Sequence, residues 1–165
     1  MNVSIEIIEP GGPYHNFWLL REEECPYHET DRYLGRTDAP IRIPDDLMNY
    51  IGSFFREVPV ISPGHRKQIP SRGLHLYGPN IINREGARLF RQICENWAEL
   101  FSQGPSPLYL NAGEVGTVGD EGIIINVRQR QMRIDREEIV ATFHLFAEWG
   151  ALAESGEKYI LYHGV

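Results

Sequence analysis

The stretch NREGARLFRQICENWAELFSQGP, residues 83–105, predicts the longest helix of the chain and with it the class of fold. Asn83 can accept a hydrogen bond from a backbone N–H of the first turn, and Gly104 followed by Pro105 ends the helix. We therefore expect a helix over residues 84–103 with one face packed against a core. The apolar residues at helical spacing are Leu89, Phe90, Ile93, Cys94, Trp97, Leu100 and Phe101.

Two further segments have the features of helices. Residues 43–57 begin with Pro44 and two acidic residues, which suit a first turn because proline is tolerated there and carboxylates complement the helix dipole. Later in the chain, Asp135 and Glu138 form an acidic variant of the capping box. We expect the helix that follows them to end near Gly156.

Strands are predicted before, between and after these helices. In the first of them, Val3, Ile5 and Ile7 recur at every second position, which is typical of a strand with one buried face. The sequence Pro-Gly-Gly-Pro then breaks the strand, so we expect the second strand to be the returning arm of a hairpin. The predicted strands cover residues 3–8, 15–22, 74–78, 107–112, 122–134 and 158–165.

The element order β-β-α-β-α-β-β-α-β predicts an α+β fold. We expect a mixed α/β sandwich with about six strands in one sheet and three helices packed on it. A chain of 165 residues favours one globular domain, residues 1–165. Residues 23–40 and 58–73, which contain the 24–32 and 64–72 loops, are interpreted as irregular segments, and the glycine-rich residues 113–122 as a turn.

The charge of the chain limits its partners. Lys and Arg number 16 against 23 Asp and Glu, so the formal net charge is -7 and the pI is ≈ 5.4. Phosphate binding depends on a surplus of basic side chains, so we expect no nucleic-acid partner. An anionic membrane surface is disfavoured for the same reason. An acidic surface instead favours solubility or attracts a basic partner.

The cysteines and the N-terminus suggest a cytoplasmic protein. Cys25 and Cys94 are far apart in sequence and are typical of reduced thiols, and Cys94 lies on the apolar stripe of the long helix. The N-terminal residues lack the basic and apolar regions of a secretion signal. The purely apolar runs are too short to span a bilayer, so we expect no membrane association.

The segment ECPYHETDR, residues 24–32, holds several potential metal ligands and catalytic groups. Cys25 and His28 have the spacing of half a zinc site, but a structural site needs about four ligands and no second such pair exists. The acidic residues 22–24 disfavour a Cys25 thiolate, so a nucleophilic role is also disfavoured. We predict no metal, no cofactor and no catalytic residues, and we interpret the segment as a polar loop.

Two groups of basic residues could hold an anion. Arg128 and Arg130 share one face of a predicted strand, where two arginines can bind a phosphate or carboxylate. They could equally mark an exposed strand end, where charge discourages edge-to-edge association. His65, Arg66 and Arg72 belong to the most basic stretch of the chain.

The leading hypothesis is a non-enzymatic protein-binding domain, for example an inhibitor or immunity-type protein that neutralises a basic partner enzyme. Tyrosines and arginines in loops support it, because both residue types are enriched at interfaces. The candidate binding residues are Tyr27, His28, Asp31, His65, Arg66, Arg72, Arg128 and Arg130.

Two alternatives remain open. The first is a small-molecule or anion-binding domain, or an enzyme, with a pocket formed by the 24–32 and 64–72 loops. The second is a component of a homo-oligomer, in which residues 3–8 and 159–165 are edge strands available for pairing.

Overall fold

The computed structural model describes residues 2–24, 30–63, 68–75 and 77–165, and it confirms the α+β class. The α-helices in these residues are α1 (Asp45–Ile51), α2 (Arg84–Ser102) and α3 (Arg136–Ser155). The strands are β1 (Asn2–Ile8), β2 (Tyr14–Leu20), β3 (Ile41–Pro44), β4 (Pro59–Pro63), β5 (Gln68–Arg72), β6 (Pro79–Ile82), β7 (Leu108–Val118), β8 (Ile124–Ile134) and β9 (Tyr159–His163). Short 3-10 helices cover Glu22–Glu24, Thr30–Tyr33 and Gly52–Phe55.

The strands form two sheets, so the prediction of about six strands in one sheet is wrong. A six-stranded sheet has the order β3-β2-β9-β6-β4-β5, and a three-stranded sheet has the order β1-β8-β7. The expected hairpin of the first two strands is also wrong, because β1 pairs in parallel with β8 while β2 pairs with β3 and β9. The Pro-Gly-Gly-Pro segment therefore carries the chain from one sheet to the other.

The main core lies between the six-stranded sheet and the helices α2 and α3. Phe17 of β2 meets Phe146 of α3 edge to face with ring centroids 4.7 Å apart. Phe146 in turn contacts Phe90 of α2 at 5.6 Å, so one aromatic chain joins the sheet to both helices. A smaller core covers the other face of this sheet, where Tyr33 packs on Trp18.

The two long helices begin and end where the sequence predicts, but α3 has 20 residues and α2 has 19, so the prediction that α2 is the longest helix is wrong. Asn83 accepts a hydrogen bond from the Glu85 backbone N–H at the start of α2. Asp135 accepts one from the Glu138 N–H at 2.8 Å at the start of α3, and Gly156 ends that helix with φ of 85°. The first helix differs, because α1 ends at Ile51 and continues as a 3-10 turn.

Three strands of the six-stranded sheet lie in segments predicted to be irregular or helical: β3, β4 and β5. The prolines of β4 and β5 misled the prediction. Pro59 and Pro63 lie at the two ends of β4, and Pro70 lies in the edge strand β5, where a missing N–H is tolerated.

The strand predicted over residues 74–78 is absent from the described part of that segment. The strand begins instead at Pro79, after a turn in which Gly78 has φ of 82°. The His75 N–H donates to the side chain of Asn80 at 2.8 Å, which holds the turn closed. The prediction of a turn over residues 113–122 is also wrong for most of that segment, because residues 113–118 belong to β7.

Candidate functional site

Of the candidate residues in the two predicted loops, the structure describes only Asp31 and Arg72, which lie on different elements. Asp31 is exposed in a 3-10 turn, and Arg72 is exposed on β5, where its Nη1 lies 3.0 Å from Glu57 Oε2. Half of the residues of the 24–32 and 64–72 loops, 25–29 and 64–67, lie outside the described residues, so the expected pocket stays a prediction. The candidates outside them are Tyr27, His28, His65 and Arg66, and the thiol of Cys25 lies there too.

Arg128 and Arg130 project from β8, the central strand of its sheet, so they do not mark a sheet edge. Along the register, Arg128 lies opposite Ser4 and Arg130 opposite Glu6 of β1. The Arg128 Nη1 atom is 3.5 Å from Glu6 Oε1. The negative charge of Glu6 offsets the positive charge of Arg128, so Arg128 would attract an anionic ligand less strongly.

A buried hydrogen-bonded triad that the sequence did not reveal links β2, β9 and α1. His15 and Tyr162 are both 0% exposed. The His15 Nδ1 atom is 2.7 Å from the Tyr162 hydroxyl, and its Nε2 is 2.8 Å from Asp45 Oδ1. Because a carboxylate only accepts, Nε2 carries the proton and Nδ1 accepts from the hydroxyl.

This triad can relay a proton, but it offers no reactive atom to a substrate. Burial and the nearby Asp45 charge raise the pKa of Tyr162 well above its usual value. The hydroxyl therefore stays protonated and acts as a donor. Only Asp45 reaches solvent, and its second oxygen accepts a hydrogen bond from Asn49 at 3.0 Å. The arrangement ties three elements together, so we interpret it as structural.

A cleft of ≈ 330 Å³ opens between the two sheets and beside α3. Its rim carries both charge signs, with Arg42 and Arg133 facing Glu9 and Glu138. Arg133 and Glu9 approach each other to 3.6 Å, and Arg42 stacks over the Tyr14 ring at 4.2 Å. Arg133 is thus paired with a carboxylate, while Arg42 keeps its charge, and the three carboxylates of the lining outnumber the two arginines, which disfavours an anionic ligand.

Metal and thiol chemistry find little support in the described residues. No group of three or more His, Cys, Asp or Glu side chains there could hold a metal ion. Cys94 is fully buried in the main core, and burial raises its pKa well above the usual value, so this thiol does not ionise as a nucleophile would.

The three-stranded sheet instead exposes an apolar surface. Val3, Ile5 and Ile7 of β1 are 59%, 62% and 56% exposed, although the sequence pattern predicted a buried face for them. They lie on the same face of the sheet as Val127 and Gln129 of β8. We call this surface the outer face, because the main core packs against the opposite side of the sheet, around Met132 and Leu110.

The hairpin of β7 and β8 ends in a second exposed apolar group. A closed turn forms its end, with the Gly119 N–H bonded to the Ile123 carbonyl and the Gly122 N–H to the Gly119 carbonyl, both at 2.9 Å. Gly122 has φ of 75°, as a three-residue hairpin loop with a glycine bulge requires. We call residues 118–125 the hairpin tip. Its exposed aliphatic side chains are Val118, Ile123, Ile124 and Ile125.

Asp120 and Glu121 occupy the two corners of this turn, and both are exposed. Glu6 and Glu9, elsewhere in and beside the same sheet, have arginine partners. In the part of the chain that the structure describes, neither tip carboxylate has an ion-pair partner. The hairpin tip thus combines two unpaired negative charges with a surrounding group of aliphatic side chains.

The remaining findings come from the helices and from comparisons with known proteins. None of the helices in the described ranges is long and apolar enough to cross a membrane. A scan against protein-family models and searches of curated proteins and solved structures found no match to this chain. The exposed surface of the three-stranded sheet and its hairpin tip is therefore the main indication of function.

Proposed function

We propose that this chain is a non-enzymatic protein-binding domain whose hairpin tip docks a basic partner protein. The observation that carries the proposal is the pair of unpaired carboxylates, Asp120 and Glu121, surrounded by exposed aliphatic side chains. Large exposed apolar patches on soluble proteins usually mark interaction sites. The tip is an exposed turn and not a pocket with convergent polar groups, so binding is the activity that it supports best.

The charge of the tip selects the kind of partner. Carboxylates without an internal partner can form new ion pairs across an interface, and a formal net charge of -7 adds attraction over a longer distance. The aliphatic side chains supply apolar area that a partner surface can bury. A partner with basic groups around an apolar depression is complementary to both features.

The shape of the tip favours an inhibitory role of the immunity type. Two paired strands are only about 5 Å apart, so a hairpin is narrow enough to enter a cleft. Enzymes that act on nucleic acids or other polyanions line their substrate clefts with basic groups. An acidic hairpin that occupied such a cleft would exclude the substrate from it.

The test is a comparison of purified complexes. The tagged protein is isolated from the cells that produce it, at low salt, and its stoichiometric partner is identified and then produced alone. Neutralising the tip with Asp120→Asn and Glu121→Gln should weaken binding about tenfold or more, since each factor of ten corresponds to ~1.4 kcal/mol. The salt dependence of binding should also decrease, because fewer charges attract the partner.

A matched control neutralises two exposed carboxylates elsewhere, with Glu148→Gln on α3 and Glu157→Gln beyond its end. This variant has the same net charge as the tip variant and should bind like the wild type. An acidic partner, or equal weakening by both variants, would count against docking at the tip. Ile124→Ser examines the apolar part in the same assay and should also weaken binding.

A further inference from the structure

The outer edge of β1 is open to pairing. β1 is the first strand of the order β1-β8-β7, so no strand of the described residues pairs with its other side. Natural edge strands are usually protected by lysine, proline, a bulge or an unpaired charge. β1 pairs with β8 over seven consecutive residues without a bulge and contains neither proline nor lysine. Its one charge, Glu6, already has Arg128 as a partner.

The other edges of the two sheets are protected in these ways. β7 has register shifts between Asn111 and Glu114 and again near Thr117. Of the edges of the six-stranded sheet, β5 contains Pro70 and β3 ends at Pro44. Among the edges that the structure describes, only β1 is long, regular and unprotected.

The sequence of β1 matches itself when two copies run antiparallel. If Ile5 faces the Ile5 of a second copy, Val3 faces Ile7 and Ile7 faces Val3, so all three exposed aliphatic side chains gain an aliphatic cross-strand neighbour. Such pairs on one face are the unit of sheet stabilisation. On the opposite face, Ser4 meets Glu6, which sets no like charges against each other.

Charge distinguishes this register from its neighbours. A shift by two residues in one direction sets Glu6 against the Glu6 of the second copy, and directly opposed like charges destabilise a strand pair. A shift in the other direction sets Ile7 opposite residue 1, beyond the described end of β1, so only Val3 and Ile5 gain an aliphatic partner within the strand. The register centred on Ile5 therefore combines the best apolar match with charge compatibility.

We infer that two copies of this chain associate through β1, antiparallel about a two-fold axis at Ile5, and join their three-stranded sheets into one continuous six-stranded sheet. The contact is self-complementary, as a two-fold interface requires. The antiparallel arrangement directs the two hairpin tips towards opposite ends of the joined sheet. The pairing does not depend on the proposed function, because it uses the edge of β1 and not the tip.

The test measures mass in solution by light scattering and sedimentation over a wide range of concentration. The wild type should approach twice the 19.0 kDa mass of the chain. Ile5→Lys places two like charges on the axis and should leave a monomer with unchanged circular dichroism and thermal stability, because this side chain is exposed. Ile124→Lys is the matched control at the tip and should still dimerise.

A strictly monomeric wild type, or an Ile5→Lys variant that still dimerises, would overturn the inference.

Cysteine crosslinking then determines the register of the two β1 strands. Ile5→Cys should form an intermolecular disulfide under mild oxidation, because the residue faces its own counterpart. Ile7→Cys should crosslink far more slowly, since it faces Val3. The unsubstituted protein gives the background of the native cysteines, and the opposite order of rates would contradict the register.

Discussion

At the scale of single residues, the best-defined feature is the triad of His15, Tyr162 and Asp45. Both ring nitrogens of the histidine have a partner, so a fully buried imidazole is left with no unsatisfied polar atom. The triad joins two strands of the six-stranded sheet to the start of α1. It therefore fixes α1 to the sheet by directional bonds in addition to apolar packing.

Removing the tyrosine hydroxyl should destabilise the fold. Tyr162→Phe leaves the buried Nδ1 atom of His15 without a donor, which costs about 1–3 kcal/mol of unfolding free energy. Urea denaturation followed by tryptophan fluorescence measures the change. Tyr109→Phe, at an exposed position of β7, is the control and should leave the midpoint unchanged. Equal midpoints for wild type and Tyr162→Phe would show that the triad contributes nothing to stability.

The same tyrosine predicts how stability depends on alkaline pH. Its pKa is raised in the folded protein above the usual 10.0, first by burial and then by the charge of Asp45. Since the unfolded chain releases this proton more readily, its contribution to stability is complete below pH 10 and is lost as the pH rises beyond it. The unfolding free energy of the wild type should fall more steeply above pH 10 than that of Tyr162→Phe. Parallel curves for the two proteins would contradict this assignment.

The triad was not predictable from the sequence for a physical reason. Its members lie far apart along the chain, at 15, 45 and 162, and meet because β2 pairs with β9 on one side and with β3, which directly precedes Asp45, on the other. Local patterns predict which residues enter a strand, but they do not say which strands become neighbours. His15 and Phe17 are two residues apart, as expected for side chains on one buried face of a strand. The burial of His15 is therefore compatible with the sequence pattern, but the identity of its partners is not contained in it.

At the scale of elements, α2 packs against the sheet at a glycine. A Cβ atom at Gly86 would overlap the carbonyl oxygen of Pro59 in β4, whose backbone cannot move without disturbing the strand pairs. The absence of a side chain at Gly86 thus allows the first turn of α2 to lie directly on β4. The sequence pattern predicted this helix but not the close approach.

Adding one methyl group at this contact should be costly. Gly86→Ala is expected to lower the unfolding free energy by about 1–3 kcal/mol through overpacking. Gly52→Ala is the control, since Gly52 has helical backbone angles and open space where a Cβ would lie, and it should be neutral or stabilising by about 0.4–1 kcal/mol. Thermal unfolding of both variants measures the difference. Similar melting temperatures for the two variants would contradict this packing.

Helices were more predictable than strands in this chain. α2 and α3 carry their start and stop signals locally, in Asn83, Asp135 and Gly156, and the structure confirms all three. Strand signals were obscured where prolines entered the β4 and β5 hairpin. A proline is compatible with an edge strand, but a sequence does not show which strand will be at the edge.

At the scale of the whole molecule, the sequence did not reveal that the terminal strands have opposite environments. The alternative of a homo-oligomer treated residues 3–8 and 159–165 as possible sheet edges. The expectation is right for β1 and wrong for β9, which lies between β2 and β6 near the centre of the six-stranded sheet. Residues 160–163 of β9 are accordingly buried, while Val3, Ile5 and Ile7 of β1 remain exposed.

The candidate site was only partly predictable for the same reason. Composition predicted a basic partner for this acidic chain, which stays a prediction, and the docking surface was expected in irregular loops. Asp120 and Glu121 were visible in a glycine-rich turn, yet their position depends on β7 and β8 extending that turn beyond the core. Whether the neighbouring aliphatic residues are exposed depends on the tertiary structure, because the same sequence pattern is also compatible with buried strands.

The most direct test of the central claim is a crosslinking measurement at the hairpin tip. A photo-crosslinking amino acid replaces Glu121, with replacement of Glu148 on α3 as the control, and the protein is irradiated in the cells that produce it. We expect a basic protein to be captured from the Glu121 position at a yield that far exceeds the control. Capture only from Glu148, or of an acidic protein at the tip, would contradict the proposal that this surface docks a basic partner.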